Sequence, residues 1–116
     1  MEPRTSTFGS VVESVAQGRL RVSTHALWEA EADGLTLEQV EAATLGGDCI
    51  EDYPDDPRGP SCLVLGRLAD GSALHAVWGF DGPSRQAILI TVYLPDPQRW
   101  SDDFRRRRAS DVGDTE

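Results

Sequence analysis

The sequence contains no lysine, only two cysteines and two histidines, and no apolar run near the ~20 residues that a membrane-spanning helix needs. Its first residues lack the basic start and apolar core of a secretory signal, so we expect a cytoplasmic protein without a membrane segment. Cys49 and Cys62 form no CxxC pair, and two histidines give no zinc-binding spacing. We therefore expect two buried thiols rather than a disulfide, and neither a metal nor a cofactor.

Three further motif classes are missing. The sequence has no glycine-rich phosphate-binding loop and no GxSxG nucleophile motif. It also has no Cys–His signature of a cysteine-based enzyme. These absences exclude several common nucleotide-binding and hydrolase architectures, and any active site must be built from other residues.

Charge is strongly unbalanced. The formal net charge is −9, and every basic residue is an arginine. Residues 101–116 hold four arginines and five carboxylates, so most of the negative charge lies in the preceding residues. A protein that grips nucleic acid non-specifically needs a positive field, because phosphate neutralisation dominates that affinity. A role on RNA would therefore require a local arginine patch or a partner.

Three short amphipathic helices are predicted in the first half of the chain. Ser23 or Thr24 can cap the second helix, and Thr36 with Gln39 forms the capping-box pattern of the third. None is long enough to be stable alone, so each must pack on a sheet. The predicted helices run from residue 8 to the glycine at 18, over 24–33 and over 37–45.

After Gly47 the apolar pattern changes to that of strands. Short connections between successive strands favour an antiparallel meander. We predict an α+β fold, with N-terminal helices packed on one face of a four-stranded antiparallel sheet. It forms a single domain over residues 8–108, followed by a mobile polar tail at 109–116. The predicted strands span residues 49–53, 61–68, 73–80 and 86–94.

The last predicted strand, QAILITVYL, is the longest apolar run in the chain. Read with a period of two, it has an aliphatic face that we expect to meet the helices and a half-polar face that we expect to meet a pocket or solvent. The aliphatic face holds Ile88, Ile90, Val92 and Leu94. The half-polar face holds Leu89, Thr91 and Tyr93.

Four side chains are candidates for chemistry. His75 lies on the less apolar side of its strand, where Tyr93 and Arg67 can join it, and such a group could perform acid–base chemistry and stabilise a phosphate. A solvent-facing side of a sheet favours the same residue types, so the group is more simply interpreted as the exposed side of a strand. His25 opens the second helix, either as a catalytic base or as a bonding partner of a neighbouring loop.

Two charged stretches are interpreted more simply. The acidic residues 51–56 lack the glycine and ligand spacing of a calcium loop, so we interpret them as a solvated loop. The four arginines at 105–108 could contact phosphate or an acidic partner, but nearby aspartates favour a solvated, mobile tail. Trp100 and Phe104 could pack back on the domain.

An ordered set of motifs resembles the bacterial domain-of-unknown-function family 4258. The motifs are STHA at 23–26, DGLTLEQV at 33–40, IEDYPDD at 50–56, CLVLG at 62–66, ALHAV at 73–77, ITVYLPD at 90–96 and WSDDFRRRR at 100–108. That family is distantly similar to the RelE/ParE/BrnT toxin group, in which helices pack on a small antiparallel sheet and several members cleave RNA without a metal. The resemblance assigns family positions to His25, His75 and Tyr93.

The residues and the resemblance together leave two functions open. The first is metal-independent RNA cleavage, with His25 or His75 as acid or base, the Tyr93 hydroxyl as a positioning group and Arg67 as a phosphate clamp. The alternative is a non-catalytic protein-interaction module that keeps the toxin-like fold. RNA or an antitoxin-like protein would be the partner, and an unpaired edge strand could mediate a homodimer.

One departure from the family pattern bears on the choice between RNA cleavage and protein binding. Many family members carry arginines in the helix after the STHA histidine, and this chain has Trp28, Glu29 and Glu31 there.

Overall fold

The helices begin where a side chain can accept from their free N–H groups. The computed structural model describes residues 6–108. Ser6 accepts from the Gly9 N–H, Ser23 accepts from the Ala26 N–H, and Thr36 and Gln39 form the reciprocal capping box. The three predicted helices are confirmed as α1 (Thr7–Ala16), α2 (Thr24–Ala32) and α3 (Leu37–Leu45).

Five strands form one mixed sheet in the order β1-β5-β4-β3-β2. They are β1 (Leu20–Val22), β2 (Asp48–Tyr53), β3 (Ser61–Arg67), β4 (Ala73–Asp81) and β5 (Gln86–Tyr93). Strands β2 to β5 form the predicted antiparallel meander, whereas β1 runs parallel to β5. The α+β class is confirmed. The prediction of four antiparallel strands is wrong, because the sheet has a fifth strand, β1, that is parallel to its neighbour. A three-residue strand whose partner lies far along the chain has no local signal.

The helices cover one face of the sheet, which we call the first face. Trp78 is fully buried there, and its Nε1–H donates to the Thr44 hydroxyl of α3 at 2.9 Å. Gly66 allows this close approach of α3, because a Cβ at residue 66 would lie 2.4 Å from the Ala43 carbonyl oxygen. The core at this face also contains Val11, Ala26, Val40, Val64, Leu74, Ala76, Leu89 and Val92.

A β-bulge at Ile90 interrupts the alternation of β5. Val77 pairs with Thr91 and Trp78 pairs with Leu89, so Ile90 is an extra residue on β5. As a result Leu89 and Val92 both enter the helix-facing core, while Ile90 is 40% exposed and lies beside Gly79 on the opposite face. The prediction of one continuous aliphatic face is therefore wrong, because it assumed an uninterrupted period of two.

Helix α2 closes the edge of β5 where β1 ends. β1 pairs only with residues 87–89 of β5. Beyond that point the Ser23 N–H donates to the Leu89 carbonyl at 3.0 Å. The Glu29 carboxylate accepts from the Val92 N–H at 3.1 Å and from the Thr91 hydroxyl. A side chain of α2 thus takes the place of a neighbouring strand.

After β5 the chain crosses the other face of the sheet as an irregular segment that we call the strap (residues 95–108). Trp100 is 4% exposed within it, and a single bridge pairs Trp100 with Arg107. The predicted tail at 109–116 lies outside the described residues. Within residues 6–108, no helix has both the length and the apolar content required to cross a membrane.

Candidate functional site

The sheet face opposite the helices, which we call the second face, has two unlike halves. One half carries Leu63, Leu65, His75 and Tyr93, and the strap covers it. Leu63 and Leu65 are 2% and 5% exposed there, although they lie outside the helix-facing core. The other half lies near Gly79 and stays open as a groove. The expectation of a pocket or solvent therefore applies to only half of the face.

His75 lies beneath the strap with no solvent-accessible surface. Its Nε2 is 2.9 Å from the Phe104 carbonyl oxygen. Because a carbonyl oxygen only accepts, Nε2 carries the proton and donates it. The Tyr93 hydroxyl lies 3.2 Å from Nδ1 and donates to it. The predicted association of His75 with Tyr93 is confirmed, and both ring nitrogens are already occupied.

Two aromatic rings pack against His75. The Trp100 ring meets His75 edge-to-face at a centroid distance of 4.3 Å, and the Tyr93 ring does so at 5.3 Å. Burial lowers the pKa of His75, and the nearby Arg107 charge adds to that effect. Burial also raises the pKa of Tyr93. Near neutral pH both groups are therefore uncharged, as the hydrogen bonds require.

An ion-pair network lies at the border of the covered half. Arg107 binds Glu51 through Nε and Nη2 at 3.0 and 3.1 Å, and the Tyr53 hydroxyl donates to the same carboxylate. Burial alone would raise the pKa of Glu51, but the hydrogen bonds from Arg107 and Tyr53 outweigh burial and lower it. The Arg107 guanidinium also lies 4.8 Å from the centre of the Trp100 ring. Glu51 therefore links β2 to the strap at this border.

The strap arginines correct a second prediction. We expected residues 105–108 to be solvated and mobile, but Arg105 binds Asp48 at 2.6 Å and Arg108 binds Asp102 at 3.0 Å. Phe104 adopts a φ of 62°, a left-handed turn that accompanies its carbonyl bond to His75. Sequence reasoning missed Glu51 and Arg107 as partners. The only available signal was the match between four arginines and an acidic strand, and the sequence does not say that the two segments meet.

The other two candidates lie apart from His75. The His25 side chain is 67% exposed at the start of α2, and its Nε2 lies 3.1 Å from the Glu29 carboxylate. Arg67 ends β3, where its Nη1 donates to the Gly71 carbonyl at 3.3 Å and its guanidinium lies 6.0 Å from the Phe104 ring centre. Across residues 6–108, no hydrogen bond or ion pair links either side chain to His75 or Tyr93.

The open half of the second face is a groove of about 560 Å³. Its floor includes Gly79, Ile88 and Ile90, and a Cβ at Gly79 would lie 3.1 Å from the Ile90 Cδ1. Charges at its rim are internally balanced, because Arg58 pairs with Asp56 at 3.4 Å and Arg21 pairs with Asp81 at 3.6 Å. The groove therefore has no excess of positive charge that would attract phosphate.

The helices form a third surface of different character. No arginine lies in α1, α2 or α3. We call five carboxylates on these helices and on the α2 cap the acidic helical layer. Glu29 of α2 is left out because it pairs with His25, and within the described part of the chain the five form no salt bridge. They are Glu13, Glu31, Asp33, Glu38 and Glu41. Trp28 projects from α2 with 66% of its surface exposed.

Comparison with known proteins gives one match. The family model of the domain of unknown function DUF4258 matches residues 22–94, more than half of the chain. The matched region contains His25, Arg67, His75 and Tyr93 and ends before the strap. No curated protein and no solved structure matches the chain. In residues 6–108, no group of three or more His, Cys, Asp or Glu side chains could hold a metal ion.

Proposed function

We propose that this chain, which belongs to the DUF4258 family, is a non-catalytic protein-binding module that keeps a RelE/ParE/BrnT-like toxin fold. One observation carries the proposal. His75, the histidine best placed for acid–base chemistry, is fully buried and has both ring nitrogens bonded within the protein. A general acid or base must reach the proton that it transfers, and His75 has no free position.

RNA cleavage is the less supported alternative. It requires a base, an acid and a phosphate clamp around one scissile bond. Here His25 pairs with Glu29 on α2, whereas Arg67 lies against the Phe104 ring. The acidic helical layer would repel a phosphate backbone. The arginines of the strap, which could attract RNA, are largely engaged with Asp48, Glu51 and Asp102.

The arrangement of layers supports the toxin-like part of the proposal. Helices on one face of a small sheet, with a strand meander beneath them, are what the resemblance implies. Toxins of this architecture act with protein partners, so an antitoxin-like protein is the partner class that the resemblance suggests. The module proposed here is a toxin-like domain that lacks a complete set of catalytic residues but keeps a surface that binds a protein partner.

An RNA-cleavage assay in EDTA tests the catalytic alternative directly. The parent protein, His75→Ala and His25→Ala are incubated with single-stranded RNA, and cleavage is compared with a protein-free blank. We expect all three to equal the blank. Cleavage by the parent that either variant abolishes would overturn the proposal. Because the His25 side chain is exposed and lies outside the core, His25→Ala is expected to keep the fold, so a loss of cleavage in it would report on chemistry.

Affinity purification from the native cell under mild salt provides the positive test. We expect one protein to co-purify in stoichiometric amount and to dissociate at high salt, because a charged surface mediates binding. Recovery of no such partner would contradict the protein-binding function.

A further inference from the structure

We infer that the partner docks on the outer face of α2, centred on Trp28, and that it presents a basic segment with an apolar side chain. This inference rests on the proposed function and specifies its surface and its partner chemistry. A tryptophan with 66% of its surface exposed leaves a large apolar area in water, and tryptophan is enriched at the centres of protein interfaces.

The geometry of α2 separates an inner from an outer face. Ala26 and Ala30 are buried in the core, so they define the inner face. Trp28 lies between them in sequence and therefore projects from the opposite side of the helix. Leu27, 40% exposed, lies next to it, and Glu31 is one turn further along the same side. An apolar centre with an acidic border is thus present on one helix face.

The charge of the helices selects the partner. The acidic helical layer has no arginine on the helices to neutralise it, and a basic segment would supply the complementary charge. A second copy of this chain would bring the same acidic surface against itself in a two-fold dimer. RNA carries the same sign of charge as the layer. A protein segment rich in lysine or arginine, with one apolar residue against Trp28, is the occupant that fits.

The platform beneath Trp28 is already ordered. The Ser23 cap begins α2, and the Glu29 carboxylate bonds the helix to Thr91 and Val92 of β5. Because the helix is fixed before binding, a partner would lose little free energy in ordering it. The exposed tryptophan is therefore presented on a rigid support.

Binding of a defined probe tests this surface. The probe is a short amphipathic helical peptide of leucine and lysine, and its affinity for the full chain is measured by calorimetry. We expect binding that weakens as NaCl is raised and that protects tryptophan fluorescence from acrylamide. Trp78 and Trp100 are 0% and 4% exposed, so Trp28 dominates the quenchable signal. We expect Trp28→Ala to weaken the affinity at least about tenfold.

Matched controls make the result specific. Leu45→Ala removes an apolar side chain that is 44% exposed on α3, and we expect it to leave the affinity unchanged. A leucine–glutamate peptide should not bind. The inference is overturned if Trp28→Ala and the parent bind the basic peptide equally, if Leu45→Ala has the larger effect, or if no peptide binds. None of these results affects the RNA assay, which alone decides between a module and a nuclease.

Discussion

The two faces of the sheet are covered by different kinds of interaction. On the first face, three helices bury a continuous apolar core around Trp78. On the second face, one irregular strap covers half of the sheet with a single tryptophan ring, one hydrogen bond to His75 and exposed ion pairs. The first face should therefore supply most of the stability, while the second should be the part that responds to pH and salt.

This difference also limits where function can lie. His75, the candidate best placed for acid–base chemistry, bonds to the strap through Nε2, and Tyr93 occupies its Nδ1. Exposed ion pairs are worth about 0–1 kcal/mol each, so the strap depends chiefly on Trp100 and on the hydrogen bond between His75 and the Phe104 carbonyl. What remains accessible is the groove and the acidic helical layer. A polar cluster on a sheet can thus anchor a later segment of the chain through hydrogen bonds.

The largest expected effect is at the first face. Trp78→Ala should lower the free energy of unfolding by about 3–5 kcal/mol, because it leaves a cavity beneath the helices and removes the hydrogen bond to Thr44. Chemical denaturation measures the loss. Trp78→Phe is the control, since it keeps most of the volume and should cost less. A loss no larger than that of Trp100→Ala would break the distinction between the faces.

A smaller effect is expected at the second face. Trp100→Ala should lower the free energy of unfolding by about 2 kcal/mol, the contribution of one large buried side chain. Amide exchange should accelerate in the strap while the helix amides stay protected. Trp100→Phe should restore part of the protection, because a ring can still pack on His75. Equal acceleration in the strap and the helices would show that the two faces unfold as one unit.

The smallest effect concerns pH. Burial keeps the pKa of folded His75 below its ordinary value of about 6.5, so the unfolded chain binds more protons just below that pH. The stabilisation from neutral His75 is complete above about pH 6.5 and is lost as pH falls toward the folded pKa. The lowered pKa of Glu51 adds a second loss below about pH 4.5. Denaturation curves across this range should show the decline.

A non-titrating variant checks the assignment of the pH effect. His75→Gln should flatten the decline just below pH 6.5 and leave the loss below pH 4.5 in place. The same slope in His75→Gln and in the parent would place the titrating group elsewhere.

The local part of this fold was predictable. The Thr36–Gln39 capping box and the Ser23 cap are short-range patterns, and both occur as expected. The four meander strands end within two residues of their predicted limits, because proline, glycine and aspartate mark each turn. Proximity of His75 to Tyr93 followed from strand alternation, and the register of β4 with β5 confirms it.

The remaining features depend on contacts between distant segments. β1 forms only because β5 returns to lie beside it. The Ile90 bulge changes which side chains face the helices, and nothing in the run QAILITVYL indicates an extra residue. Arg107 reaches Glu51 across the sheet, so a charge count could not pair them. The prediction that the face around His75 meets a pocket or solvent failed for the same reason. The strap that covers His75 has no regular secondary structure, so no sequence pattern indicated it.

The Glu29 carboxylate has a consequence for how the sheet ends. At Val92 it accepts the hydrogen bond that a further strand would otherwise accept. A neighbouring strand would have N–H groups on its far edge that could bond to yet another strand. A carboxylate has no N–H group, so the hydrogen-bond pattern of the sheet ends at this side chain. Helix α2 thereby prevents a further strand from pairing with this half of β5. Another molecule that approaches here meets the surface of a helix instead of the unpaired backbone of an edge strand.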